Sequence, residues 1–216
     1  VLKRKKVDIQ TDTMATEIDD EYILVSIGVE GNSSGFGLKK IGIEIGSNNH
    51  IIVDKNGKTN LDNIYAVGDV IGPPWLAHVS SSEGLYVVEH IAKLSPKKID
   101  YDCVPACTYS KPEIGSIGLS QKILDERGID YKVVKSFFNA NGKAVASDST
   151  EGFIKILVSD RNQILGAHII GSNATEMISE FSLAMSNNLS VENILDSIHP
   201  HPTFSEAIFE TLMQLR

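Results

Sequence analysis

The stretch HPHPTFSE, His199 to Glu206, sets two histidines, a threonine and a glutamate within eight residues. Histidine is the side chain whose ordinary titration lies nearest neutrality, so it can take up and return a proton under mild conditions. A carboxylate on the far ring nitrogen would fix the tautomer and stabilise the imidazolium that forms. His201 and Glu206 are five positions apart, near enough for that contact if the chain folds back on itself. A second reading competes for the same glutamate. Thr203-Phe204-Ser205-Glu206 has the form of a capping box, in which threonine caps a helix and the glutamate reaches back to its start. Phe204, Ile208 and Leu212 would then anchor that helix at every fourth position. By pattern alone both readings stand, and each asks for Glu206.

A second constellation lies upstream. In LDNIYAVGDV an apolar run, Ile64 to Val67, ends in Gly68-Asp69. Open α/β sheets bind ligands at the carboxyl ends of their strands. Gly68 would allow close approach to the backbone, and Asp69 could accept hydrogen bonds from ligand hydroxyls. Pro73 and Pro74 break continuity, and a helix is predicted from about Leu76 to Lys93. Its start aims free N–H groups and a positive dipole end at the same region. The plainer alternative, a turn aspartate before a core helix that carries an incidental His78, remains open.

The elements that must position these residues fall into two patterns. Before about residue 100, the chain reads as short strands and turns: a buried strand over Ile23–Ile27 before Gly28, a hairpin turning at Asn56-Gly57, and a buried strand over Ile64–Val67. After Val104, five strands are predicted in VPACTYS, EIGSIGLS, DYKVVKSFF, GFIKILVSD and QILGAHIIG, the last two joined by a tight DRNQ turn. A helix in SQKILDERG stops at Gly128. A longer one starts at Asn173, where NATE has the form of a capping box, and carries Met177, Phe181, Ala184 and Met185 inward. Strands grouped with helices on one side predict an α+β fold with an antiparallel sheet.

Bulk properties exclude several classes. The chain has 216 residues, is 42% hydrophobic and 22% charged, and carries a formal charge of −8. Its only basic run, KRKK at 3–6, reads as a solvated strand edge, so no nucleic-acid partner is expected. No apolar run approaches the roughly 18 residues a membrane helix needs, and no signal peptide opens the chain. Cys103 and Cys107 suit no disulfide framework and are expected to be buried strand residues in a reducing compartment. No metal site is expected.

The residues TNLDNIYAVGDVIGPPWLAHVSSSEG resemble the second flavin-binding segment of the pyridine-nucleotide–disulfide oxidoreductases, and within them the dihydrolipoamide dehydrogenase branch. CVPACTYSKPEIGSIGLS is similar to the opening of that family's interface domain, and HPHPTFSE to its His-x-His-Pro-Thr-x-Ser-Glu signature. The resemblance implies the following assignments. His201 is the acid/base and Glu206 its partner, both reaching into a neighbouring subunit's active site in a homodimer, and His199 is a supporting residue near the site. Gly68, Asp69, Leu76, Ala77 and His78 face FAD. Residues 1–30 end an NAD-binding domain, 31–100 form the central part of an FAD-binding α/β domain, and 101–216 form the dimerisation domain. Dihydrolipoamide on a lipoyl-bearing complex is the substrate and NAD⁺ the acceptor, in cytoplasm or mitochondrial matrix.

The chain departs from the family pattern in places. Pro73-Pro74-Trp75-Leu76 stands where the family has Gly-Pro-Met-Leu, and Val79-Ser80 where it has Lys-Ala. Val29-Glu30-Gly31 stands where an arginine is usual. There is no Gly-x-Gly-x-x-Gly turn and no Cys-x4-Cys pair. The expectation is therefore the C-terminal half of the enzyme, inactive and flavin-free by itself. Glutathione-type and mercuric-type reductases, and a non-catalytic dimerisation module, are the alternatives.

Overall fold

The computed structural model describes residues 2–16 and 18–216. Five strands form one antiparallel sheet: β1 (Ala106–Thr108), β2 (Glu113–Gly118), β3 (Lys132–Phe137), β4 (Phe153–Val158) and β5 (Ile164–Gly171), in the order β1-β2-β5-β4-β3. The β4–β5 turn closes through Ser159, whose amide donates to the Gln163 carbonyl at 2.9 Å. Alternation along β4 and β5 sends Ile154, Ile156, Ala167 and Ile169 into one core with no residual exposure. On that face lie α4 (Ala174–Ser186), packed on β2 and β5, and α6 (Glu206–Leu212), packed on β3 and β4. The short α3 (Gly142–Ala146) and α5 (Val191–Leu195) fill the edges of the same core.

The helix α2 (Gln121–Arg127) corrects the expectation of helices on one side. Lys155, which alternates with the core residues of β4, donates from Nζ to Gln121 Oε1 at 3.0 Å. Leu124 and Leu157 are both fully buried but outside the main core cluster. The second face of β4 is therefore partly apolar, and α2 covers it. Its limits follow from sequence: the Ser120 side chain accepts from the Ile123 amide, and Gly128 adopts a left-handed φ of 62°.

The start of α4 departs from the capping-box expectation. Asn173 sits at φ 61° and its side chain caps nothing. Instead Glu113 on β2 accepts from the Thr175 amide at 3.2 Å and its hydroxyl at 2.8 Å. A carboxylate from a neighbouring strand satisfies the open amide and suits the positive end of the helix dipole. The inward face is as expected, with Met177, Phe181 and Ala184 buried and Met185 packed against the core.

Before residue 100 the correction is larger. Every described residue from 2 to 30 is exposed. The expected strand Ile23–Ile27 is absent, and Leu24 is 94% exposed. A strand's amides and carbonyls need a neighbouring strand, and no described residue supplies one. The KRKK run forms a solvated single turn, Lys3–Lys5, rather than a strand edge. Ile64–Val67 is half-buried and holds only an isolated bridge between Lys58 and Tyr65, again for want of sheet neighbours. The turn at Asn56-Gly57 is present: the Gly57 amide donates to the Asp54 carbonyl at 3.0 Å, and the Asp54 amide to the Lys58 carbonyl at 2.8 Å. The helix α1 (Ala77–Ile91) packs Val79 and Val87 inward and leaves Val88 and Ile91 exposed. No helix among the described residues is long and apolar enough to cross a membrane.

Candidate active site

The loop from Asp196 to Ser205 joins α5 to α6, and the core fixes its far end. Ile208 and Leu212 of α6 are fully buried, and the Phe204 ring meets Phe138 edge-on at a centroid distance of 5.9 Å. That anchorage places Glu206 at the first position of α6. Its Oε1 accepts from His201 Nδ1 at 2.8 Å, and its Oε2 accepts from the Thr203 amide at 2.7 Å. The two readings of this glutamate therefore do not compete, because a carboxylate has two oxygens and uses one for each. The threonine half of the box does not form. Thr203 Oγ1 donates instead to the Pro200 carbonyl at 2.8 Å, which tightens the loop.

These contacts set the chemistry of His201. A carboxylate can only accept, so Nδ1 carries the hydrogen, and Nε2 of the neutral ring is left with its lone pair. The His201 side chain is 79% exposed while that of Glu206 is 22% exposed, so the orienting group is shielded and the proton acceptor is presented. The Thr203 amide and then the His201 hydrogen bond hold the Glu206 carboxyl below the usual carboxylate range. The pair can accept a proton from a group brought to Nε2 and return it.

His199 turns the other way. Its Nε2 meets Glu180 Oε1 of α4 at 2.9 Å, its side chain is 9% exposed, and its ring lies against Phe209. It ties the loop to α4 rather than facing solvent. Asn141 is buried and clamps the same loop: its Nδ2 donates to the Thr203 carbonyl at 3.1 Å, while its Oδ1 caps α3 through the Ala144 amide. The sequence reading missed Asn141 and Glu180. The only signal for Asn141 was an Asn-Gly pair that reads as an ordinary turn.

At the second constellation, Gly68 to Ile71 form a single 3₁₀ turn before α1. Gly68 has φ 77°, and a Cβ there would come within 2.9 Å of Ser80 Oγ, so glycine is required for α1 to approach. The Gly68 amide donates to Glu83 Oε2 at 2.7 Å. Asp69 is exposed, and no side chain caps α1 at Leu76. Ala77 is exposed at the helix start, and the His78 ring meets the Pro105 carbonyl at 2.8 Å. No hydrogen bond among the described residues links this turn to the His201 loop. Glu83 is a further residue whose contact the sequence reading did not identify.

The cysteines differ from expectation in placement. Cys103 lies in a 3₁₀ turn and Cys107 in β1, and both are half-buried. Each comes at a break or an edge, where the sheet covers one side only. Desolvation and the neighbouring Asp100 push the Cys103 thiol up to about 11, and desolvation with Glu113 raises Cys107. Both stay protonated near neutrality, and a thiol is a poor nucleophile.

Residues 104–212 match the dimerisation domain of the pyridine nucleotide-disulphide oxidoreductases, and residues 2–84 match the pyridine nucleotide-disulphide oxidoreductase model. A dihydrolipoyl dehydrogenase of Bacillus subtilis is 39% identical over 194 residues, covering 89% of this chain and 41% of the relative. The mitochondrial dihydrolipoyl dehydrogenase of Caenorhabditis elegans is 38% identical over 206 residues, covering 95% and 41%. The crystal structure of LpdA from Mycobacterium tuberculosis superposes with a TM-score of 0.82 at 27% identity, over 87% of this chain and 41% of that one. The Escherichia coli flavoprotein disulfide reductase RclA, as its Cu(II) complex, gives 0.81 at 25%, over 87% and 43%. The chain thus spans about two-fifths of the length of these relatives. With both family models matched in order along the sheet and the turn described above, the chain belongs to the pyridine nucleotide-disulphide oxidoreductase family.

Proposed function

We propose that this chain supplies the acid/base pair and the interface domain of a flavin-dependent dihydrolipoyl dehydrogenase, which oxidises dihydrolipoamide with NAD⁺. The observation that carries the reading is the His201–Glu206 pair, with Nδ1 engaged at 2.8 Å and the ring otherwise open to solvent. His201 takes the proton from a dihydrolipoamide thiol at Nε2, which yields the thiolate, the reactive form of sulfur. Glu206 holds the ring and stabilises the imidazolium, Asn141 and Thr203 hold the loop, and His199 ties it to α4. The identity to dihydrolipoyl dehydrogenases favours this reading over a glutathione-type or mercuric-type reductase, or a dimerisation module without catalysis.

The residues present fit an FAD at the Gly68 turn. An exposed carboxylate at Asp69 suits the hydroxyls of a ribityl chain, and the uncapped start of α1 at Leu76, Ala77 and His78 suits an electron-rich ring edge. Bound FAD would supply the two-electron relay between thiol and NAD⁺. The Gly-rich loop, the redox disulfide and most of the NAD site would come from chain outside these 216 residues. We assign residues 1–30 to the end of the NAD-binding domain, 31–100 to the FAD-binding domain and 101–216 to the dimerisation domain of a homodimer. That dimer would serve a lipoyl-bearing complex in cytoplasm or mitochondrial matrix.

The test is His201→Gln in the flavoprotein that carries this chain. General acid–base groups contribute roughly 10²–10⁴-fold, so dihydrolipoamide oxidation should fall by about that factor while flavin absorbance is retained. Unchanged turnover rejects the assignment.

A further inference from the structure

Glu83 is a carboxylate only 7% exposed, on the inward face of α1, and no cation pairs with it among the described residues. Leaving such a group buried without partners would be costly. Both its oxygens are used, and by elements that are far apart in the chain. Oε2 accepts from the Gly68 amide at 2.7 Å, and Oε1 accepts from the Tyr101 hydroxyl at 2.7 Å. Gly68 begins the turn that presents Asp69. Tyr101 begins the 3₁₀ turn of the segment leading into β1. A second strap runs parallel, from His78 on the first turn of α1 to the Pro105 carbonyl at 2.8 Å.

We infer that Glu83 is a positioning residue: by bridging the Gly68 amide and the Tyr101 hydroxyl, it sets the Gly68-Asp69 turn and ties it to the entry of the sheet domain. The inference rests on the flavin reading of that turn only for its consequence, not for the clamp itself. Hydrogen bonds to an ionised carboxylate are about twice as strong as neutral ones, and two at 2.7 Å on one shielded group define its place closely. The Tyr101 hydroxyl responds accordingly: desolvation and then the Glu83 carboxylate push it up to about 12. The turn at Gly68 stands close to α1, since a Cβ added there would fall 2.9 Å from Ser80 Oγ, and it cannot move away from the helix without breaking the Glu83 bond.

The test uses amide hydrogen exchange in the full chain. Glu83→Ala should speed exchange of the Gly68 amide by about 30-fold or more, with the β4 and β5 amides unchanged. Glu83→Gln keeps an acceptor for Gly68 and a donor for the Tyr101 oxygen, so Gly68 protection should return to within about three-fold of the parent. The Tyr101 titration should nonetheless fall from about 12, because the charge is gone. Tyr101→Phe should leave Gly68 protected and loosen Asp102 and Cys103. Unchanged Gly68 exchange in Glu83→Ala, or a Glu83→Gln chain as unprotected as Glu83→Ala, overturns the clamp. Flavin affinity in the complete flavoprotein separates the two levels. Asp69→Ala and Glu83→Ala should each weaken it at least about ten-fold. If only Asp69→Ala does so, the positioning role falls. If Asp69→Ala does nothing, the flavin reading of the turn falls, and the exchange results decide the clamp alone.

Discussion

Glu206 joins the Thr203 amide to the His201 ring through its two oxygens, so loop shape and ring orientation depend on one charge. That dependence has a sign. The carboxyl is held below its ordinary range in the folded chain, chiefly by the Thr203 amide and then by His201. Its contribution is therefore fully present above the unfolded value, about 4.3. It is lost as pH falls through the lower folded value. We expect the Glu206 carboxyl carbon to titrate by NMR below the exposed glutamates. The Thr203 amide should lose exchange protection across that same acid window and not between neutrality and the unfolded value. A Glu206 titration at or above the ordinary range would refute the bidentate arrangement. Of the residues at this site, His201 and Glu206 were legible in the sequence because they lie in one short motif. Asn141 and Glu180 were not, since they reach Thr203 and His199 from 62 and 19 positions away.

Among the elements, the contact between β2 and α4 fixes how far α4, and with it His199, stands from the sheet. Gly115 of β2 makes that approach possible: a Cβ there would fall 2.5 Å from the Ala174 carbonyl oxygen and 3.1 Å from Ile178 Cβ. The obstacle is backbone at a helix start that Glu113 holds in place. Gly115→Ala should destabilise the sheet domain by about 2–3 kcal/mol, as overpacking does, read as a lowered denaturant midpoint with an unchanged slope. A midpoint equal to the parent's would show that α4 has room to move. Strands β4 and β5 and helix α2 were readable because alternation and a stop glycine are local signals. The cap of α4 was misread because the group that serves it sits on another strand.

For the molecule as a whole, burial is divided unevenly along the chain. Among the described residues, the buried members of the main core run from Ile117 to Leu212, while every described residue from 2 to 30 is exposed. Limited proteolysis of the chain should therefore remove the first 30 or so residues first and leave a resistant product that retains β1 to α6. Equal cutting within β4 or β5 would contradict this division. The surviving sheet domain should be a dimer by light scattering at micromolar concentration, and the purified chain should carry no flavin. A monodisperse monomer, or a yellow protein, would overturn the respective expectation.

By itself the sequence determined the five strands, the apolar faces of α4 and α6, the stop at Gly128 and the family motifs around Asp69 and His201. All of these are written in residues a few positions apart, where alternation, helical spacing, turn chemistry and motif act. It also placed a strand at Ile23–Ile27 that the structure does not form, because a strand is completed by hydrogen bonds to neighbours and not by its own residues. Only the tertiary structure decided that Glu206 serves helix and histidine together, that His199 turns inward to Glu180, and that Glu83 joins Gly68 to Tyr101. Those pairings depend on which polar groups meet once the apolar faces are buried, and for Glu83 and His199 their own burial makes a partner necessary.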